Sequence, residues 1–390
     1  MAGMIRQTSE QRRTEMLVHD HREDGARTAH SVWFRGPHTN RAPKMPGMIP
    51  ETAVLEHVLR GWAPESPVID RDTRITAFGS CFAANISKHL GKRNYRVSAQ
   101  DPDAQKAYVV EIGEGMVNSF VIRQQFEWAW EGRSFDQPLW HGYDASEFAY
   151  DEEVRATTRR LFDATDVFIL TFGLSEVWYD EPTGEVFWRT IPKDVYDPER
   201  HRFRVSSVEE NRANIEAIYR LIRTHRPEAK VIVTLSPIPL IATFRDTSCI
   251  TANSVSKSVL RVAIDEVMRA HRDAGHLFYW PSYEMAMDVF RAPFIEDRRH
   301  LPHPVLDFIM AQFEHVWCVE EDDARPSLRL MWLRALAASG LLPERIGRFV
   351  DKRRADKLRE AAGKPQHADA EVDAAIRALL KDAAAEIDAG

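Results

Sequence analysis

The chain has 390 residues, 44 % of them hydrophobic and 28 % charged, with 52 Lys and Arg against 59 Asp and Glu and only three cysteines. A net charge of −7 argues against general nucleic-acid binding, which rests on basic side chains neutralising phosphates, and three cysteines cannot form a disulfide framework in a chain of this length. No apolar run approaches the roughly 20 residues that span a bilayer, and the first residues carry no apolar signal core, so the composition predicts a soluble, cytoplasmic protein with no membrane span.

Residues 1–50 are polar, follow no sustained period and read as a partly disordered N-terminal arm, with Trp33 and Phe34 as anchor points. Residues 51–60 predict a short helix with Val54, Leu55 and Val58 on one face. From Arg74 the pattern alternates between strands and helices. Residues 75–78 are a short apolar run ending at Gly79, 83–90 a helix and 95–97 a short strand. The segment 118–163 is aromatic-rich and reads as an insertion beside the site. Of Phe126, Trp128, Trp130, Trp140 and Tyr143, most are expected in the core, and a minority can stack on a sugar or another flat ligand.

Three further apolar runs stop at turn residues: 167–172 at Gly173, 231–235 at Ser236–Pro237 and 277–280 at Pro281. Short strands that are apolar throughout fit a parallel sheet covered on both faces. Between them, Ser207 and Glu210 predict a capping box ahead of a helix with Ile215, Ile218, Tyr219 and Ile222 on one face. Val255, Val259, Val262, Ala263, Val267 and Ala270 mark the next helix. Repeated strand–helix units predict right-handed crossovers and a three-layer α/β domain over residues 51–318. Residues 319–390 read as a helical C-terminal extension, with one helix over 328–341. A second helix carries Val372, Ile376, Leu379, Leu380, Ala383 and Ile387 on one face, which must cover either the body or a second subunit, so a homo-oligomer through these helices is a candidate.

Ligands of such sheets bind beyond the carboxyl ends of the strands, which points to residues 79–81, 173–176 and 236–239. Cys81 follows a strand and a glycine turn and sits at or near a helix start, where unpaired N–H groups and the helix dipole favour a thiolate and can hold an oxyanion. The bland alternative is a small packed cysteine, the expected role of Cys249 and Cys318. Asp297 lies three residues before His300, a spacing that can set the carboxylate against the imidazole Nδ1–H; the alternative is a solvated charged loop. A metal set of Asp297, His300 and His303 is disfavoured by Pro302 and Pro304 on either side of the last histidine. Glu176 either faces the cleft or is a buried anchor. No phosphate-cradling glycine loop and no G-x-S-x-G elbow occurs, so neither cofactor nor metal is expected.

Residues 78–83, Phe-Gly-Ser-Cys-Phe-Ala, are similar to the signature of the GSCFA family, which is placed among the SGNH, or GDSL-like, hydrolases. The blocks 171–178, 236–240, 256–258, 279–284 and 297–300 resemble the family in the same order, and the resemblance covers roughly residues 32–317. It implies a flavodoxin-like sheet and a nucleophile–His–Asp site. Cys81 takes the nucleophile position with Ser80 beside it as the next candidate, His300 is the general base and Asp297 its orienting partner. Gly173 matches the glycine of the superfamily's Gly-x-Asn block, but Ser175 stands where the oxyanion asparagine is expected and Glu176 follows. Asn118 or a backbone N–H is then needed to complete an oxyanion site. The implied activity is hydrolysis or transfer of an acyl ester, on an O-acyl glycan or another small bacterial metabolite. The alternative is a non-catalytic glycan- or ligand-binding module on the same fold.

Overall fold

A computed structural model describes residues 14–20, 25–31, 40, 42–43, 45–48, 50, 52–319 and 328–340. It divides into a small N-terminal unit, Met1–Lys44, and a main unit, Met45–Gly390. In the small unit β1 (Thr14–Asp20) and β2 (Gly25–Ser31) pair antiparallel, from Thr14 opposite Ser31 to Asp20 opposite Gly25. This ladder lies where the hydropathy pattern suggested only an irregular arm, because backbone pairing needs no periodic side chains. Trp33 and Phe34 lie outside the described residues.

The main unit opens with α1 (Ala53–His57) and then runs β3 (Arg74–Phe78), α2 (Cys81–Lys92) and β4 (Arg96–Val97). α3 (Tyr108–Glu111), α4 (Ser119–Phe126) and α5 (Glu152–Ala164) lead to β5 (Val167–Phe172). A ribbon of β6 (Glu176–Asp180) and β7 (His201–Val205) precedes α6 (Val208–His225) and β8 (Lys230–Leu235). α7 (Cys249–His271), β9 (Leu277–Trp280), α8 (Ser282–Glu284), α9 (His303–Trp317) and α10 (Leu328–Ala338) complete the order. Five strands form one parallel sheet in the order β4-β3-β5-β8-β9. Counted along the chain within the sheet, that order is 2-1-3-4-5.

Successive strand residues point to opposite faces, and both faces are dry. Ile75, Val167, Ile169, Ile232 and Trp280 join the core under α1, α2, α9 and α10. Phe78, Phe168, Leu170, Val231, Val233 and Tyr279 join the core under α4 to α7. A sheet sealed on both sides cannot alternate apolar with polar, which explains why the strands read as unbroken apolar runs. Each large side chain sealed there contributes roughly 1.5–3 kcal/mol.

The capping box forms: Ser207 Oγ accepts from Glu210 N at 3.1 Å, and Glu210 Oε2 accepts from Ser207 N at 2.8 Å. The aromatic insertion is core for the most part. Phe126, Trp128, Trp130 and Trp140 are buried, whereas Tyr143 is 65 % exposed. Trp140 Nε1 donates to Gln124 Oε1 at 2.9 Å and Trp130 Nε1 to Asp163 Oδ1 at 2.8 Å, so neither buried indole loses its hydrogen bond. α10 belongs to the body: Trp332 packs on Phe308 and Phe290, with ring centroids 4.8 and 5.8 Å away. The amphipathic stretch 372–387 and any contact between subunits lie outside the described residues. No helix among the described residues is long and apolar enough to cross a membrane.

Candidate functional site

β3 leads into α2 through a turn that only glycine can make. Gly79 has φ +129°, and a Cβ there would sit 2.1 Å from the Thr171 carbonyl oxygen on the neighbouring strand. Its N–H donates to Gly113 O at 2.9 Å. Ser80 follows as N-cap: its Oγ accepts from Phe82 N at 3.1 Å and its carbonyl from Ala83 N at 2.9 Å. Cys81 is therefore the first residue of α2, at the positive end of the helix dipole.

The chain leaves β3 toward β4 and leaves β5 toward the opposite side, which makes the gap between the ends of β3 and β5 the topological switch point. A cleft of ≈ 440 Å³ opens there, walled by Ser80, Cys81, Gly173, Glu176, Trp178 and Ser236 among others. A larger hollow of ≈ 710 Å³ lies against Ile75, Arg96, Val97 and Thr165. That hollow contains none of residues 79–81, 173–176 or 236–239, so size does not make it the site.

Beneath the cleft lies Lys257, 2 % exposed. Its Nζ donates to Ile238 O at 2.7 Å, Ser236 O at 2.8 Å and Gly173 O at 2.9 Å, which uses all three ammonium hydrogens. All three carbonyls belong to residues of the cleft wall, so one buried cation ties the loops after β5 and β8 together. Burial pushes this ammonium down to about 7, and the opposing charge of Cys81 pulls it partly back up. Next to it, Ser256 Oγ accepts from Ser175 N at 2.8 Å.

Of the remaining residues singled out in the sequence, Gly173 lines the cleft. Its N–H donates to Val117 O at 2.7 Å, and its carbonyl is held by Lys257. Glu176 also lines the cleft, and its two carboxylate oxygens accept from Thr243 Oγ1 at 2.9 and 2.8 Å. Ser175 is fully buried; its carbonyl accepts from Ser206, and its hydroxyl has no hydrogen-bond partner. Asn118 is the N-cap of α4 and is 3 % exposed. Its Oδ1 accepts from Val121 N at 2.9 Å, and its Nδ2 donates to Trp188 O at 3.1 Å and Phe187 O at 3.4 Å, so the side chain is spent within the fold.

Asp297 and His300 share a tight turn in which Arg298 has φ +56°. Asp297 Oδ1 accepts from His300 N at 3.0 Å and Arg299 N at 2.9 Å, while Oδ2 meets His300 Nδ1. The His300 backbone N–H, followed by its ring and the Arg299 N–H, holds the Asp297 carboxyl down at about 2. Arg299 forms part of the cleft wall; Asp297 and His300 are not among the residues that line the cleft, and the His300 side chain is 58 % exposed.

Two contributors had no role assigned from the sequence, although Lys257 falls in the block 256–258 that resembles the family. Lys257 has a signal, since it falls on the buried stripe of α7 with Leu260, Ile264 and Val267; a lysine on such a stripe needs a polar purpose. Arg189 has none, because it belongs to a loop whose approach to the cleft is set by the fold.

A sequence model described as the GSCFA family matches residues 74–313, more than half of the chain. The chain belongs to the GSCFA family. The Gly-Ser-Cys-Phe-Ala run that spells the family name is thus the β3–α2 turn with the cleft thiol, and the family match also takes in Lys257 and the Asp297–His300 turn. No curated protein matches the chain at a significant level. None of its three cysteines forms a disulfide.

Proposed function

We propose that this GSCFA-family protein is an SGNH-type ester hydrolase or acyltransferase that works through a thioester on Cys81. The observation that carries the reading is the placement of Cys81 at the first position of α2, on the wall of the cleft at the switch point. The sheet order 2-1-3-4-5 supports a flavodoxin-like fold, whose ligands bind at that point.

In the proposed reaction the Cys81 thiolate attacks the acyl carbonyl carbon. A C–S bond forms, and the carbonyl π pair moves onto oxygen. Collapse of that oxyanion breaks the ester C–O bond, and the imidazolium of His300 gives its proton to the departing alkoxide. Water or an acceptor hydroxyl then loses a proton to His300 and attacks the thioester, which releases the acyl product and regenerates the thiolate. Asp297 at Nδ1 fixes the imidazole tautomer and leaves Nε2 for the transfer. The N-terminus of α2 and the buried ammonium of Lys257 supply positive potential where the thiolate and oxyanion carry charge. A thiol nucleophile suits a reducing compartment such as the cytoplasm.

The test uses Cys81→Ala and Cys81→Ser with 4-nitrophenyl acetate, together with intact mass of the wild type after brief mixing. An acetyl adduct on the Cys81 peptide and loss of hydrolysis in Cys81→Ala are expected. Full activity in Cys81→Ala would exclude the thiol and move attention to Ser80. A second reading, a binding module without turnover, is favoured by one observation: Asn118 and the Gly173 N–H both spend their donors inside the fold. It predicts ligand binding with no acyl adduct under any donor.

A further inference from the structure

We infer that Arg189 and Arg299 form an anion-binding subsite in the Cys81 cleft, so that the ligand carries a carboxylate or phosphate beside its reacting group. The inference rests on the cleft being the substrate site, as in the proposed function, but not on turnover.

Both arginines line the same cleft as Cys81. Elsewhere in the fold, half-buried arginines find carboxylates: Arg200 meets Asp180, Arg204 meets Glu210 and Arg261 meets Glu284. Among the described residues, Arg189 and Arg299 have no such partner. Arg189 instead lies between aromatic faces, 3.8 Å from the Tyr143 ring centroid and 4.0 Å from that of Trp188. Gly115 makes the space for it, since a Cβ there would fall 2.2 Å from Arg189 Nη2. Those contacts orient the guanidinium without neutralising it, and cation–π stacking leaves its in-plane N–H groups to a ligand. Arg299 is fixed at its backbone by Asp297, and its Nε is buried with no hydrogen-bond partner. An unpaired, partly desolvated guanidinium is costly in a fold unless an anion completes it.

The one carboxylate in the cleft wall, Glu176, is bound to Thr243 and pairs with neither arginine. Two guanidiniums therefore face one carboxylate, with the Lys257 ammonium below, on a chain whose net charge is −7. Planar guanidinium forks match carboxylate and phosphate oxygens. Another part of the cleft wall is apolar: Trp178 packs edge to face on Phe244, and Phe203 is tilted against both. The cleft thus suits an ester with one anionic end and one apolar portion.

The experiment reads Cys81 alkylation in the full chain with iodoacetate, an anion, and with iodoacetamide, its neutral counterpart. Peptide mass spectrometry isolates Cys81 from Cys249 and Cys318. The ratio of the two rates cancels effects common to both reagents, including thiolate fraction and access. At low salt the iodoacetate-to-iodoacetamide ratio should exceed that of glutathione by about fivefold, and Arg189→Gln and Arg299→Gln should each lower it by about threefold. Arg299→Lys should recover part of the loss. Protection by glutarate but not inorganic phosphate assigns a carboxylate, and the reverse assigns a phosphate. A ratio equal to that of glutathione, and unmoved in both glutamine variants, overturns the subsite. An intact ratio with no ester turnover would leave the subsite standing and remove the hydrolase reading alone.

Discussion

Replacing Lys257 with methionine tests the buried cation most directly, through the pH dependence of stability. In the unfolded chain this lysine titrates near 10.5, and in the fold burial brings it to about 7. Between those values the unfolded state holds more protons, so raising pH stabilises the fold; below about 7 both states are charged and the burial penalty is complete. At about 1.4 kcal/mol per pH unit, the penalty removed across the window is of order 5 kcal/mol. Lys257→Met has no proton to lose, and it leaves three carbonyl oxygens without their donor, at about 1–3 kcal/mol for each that water from the cleft does not reach. These effects oppose one another near neutrality, so the two proteins should be of similar stability there. At pH 9 the parent should have gained about 3 kcal/mol over the variant. Urea unfolding from pH 6 to 9.5, with both proteins carrying Cys81→Ser to remove the thiolate's influence, measures the difference. A difference that stays flat with pH would refute the placement of an ionisable Lys257 Nζ in a dry site.

Gly79→Ala combines a positive φ with a 2.1 Å approach to Thr171 O, so we expect a loss of at least about 3 kcal/mol, read as a fall in thermal midpoint; wild-type stability would contradict the turn geometry. Ser80→Ala removes the cap of α2 and should cost about 1 kcal/mol in chemical denaturation, with a slower Cys81 alkylation rate as the helix start loosens. Asp297 stays ionised down to about 2, so its grip on the turn is complete above the ordinary aspartate range and is lost as pH falls from about 4 through about 2. The amide resonances of Arg299 and His300, whose N–H groups donate to this carboxylate, should move as pH falls from about 4 through about 2; resonances that stay fixed across that range would contradict the carboxylate's role.

The parts of the site that the sequence made legible are local. Gly79 before Cys81 marks a strand-to-helix turn, because only glycine tolerates the backbone angle there. The three-residue spacing of Asp297 and His300 sets a carboxylate against a ring within one turn of chain. The strands were legible because a sheet buried on both faces must be apolar at every position, as in β5. The ribbon of β6 and β7 was not, since its mostly half-buried, mixed residues follow no alternating burial pattern.

The sequence by itself determined the α/β architecture, a helix start at or near Cys81 and the largely aromatic core of the insertion, since propensity, periodicity and turn chemistry act over a few neighbouring residues. Only the tertiary structure decided what each polar group does. Asn118 was open to a role as oxyanion donor; its amide N–H groups are spent because Phe187 and Trp188, far along the chain, bring their carbonyls to it. Lys257 looked like one charge in a helix; it became the buried tie beneath the cleft because three distant carbonyls converge on it. Arg189 and Arg299 lie more than a hundred residues apart and line one cleft only because the fold brings their loops to it. A hydrogen bond or an electrostatic field depends on distance in space, and sequence spacing does not encode that distance beyond a turn or two.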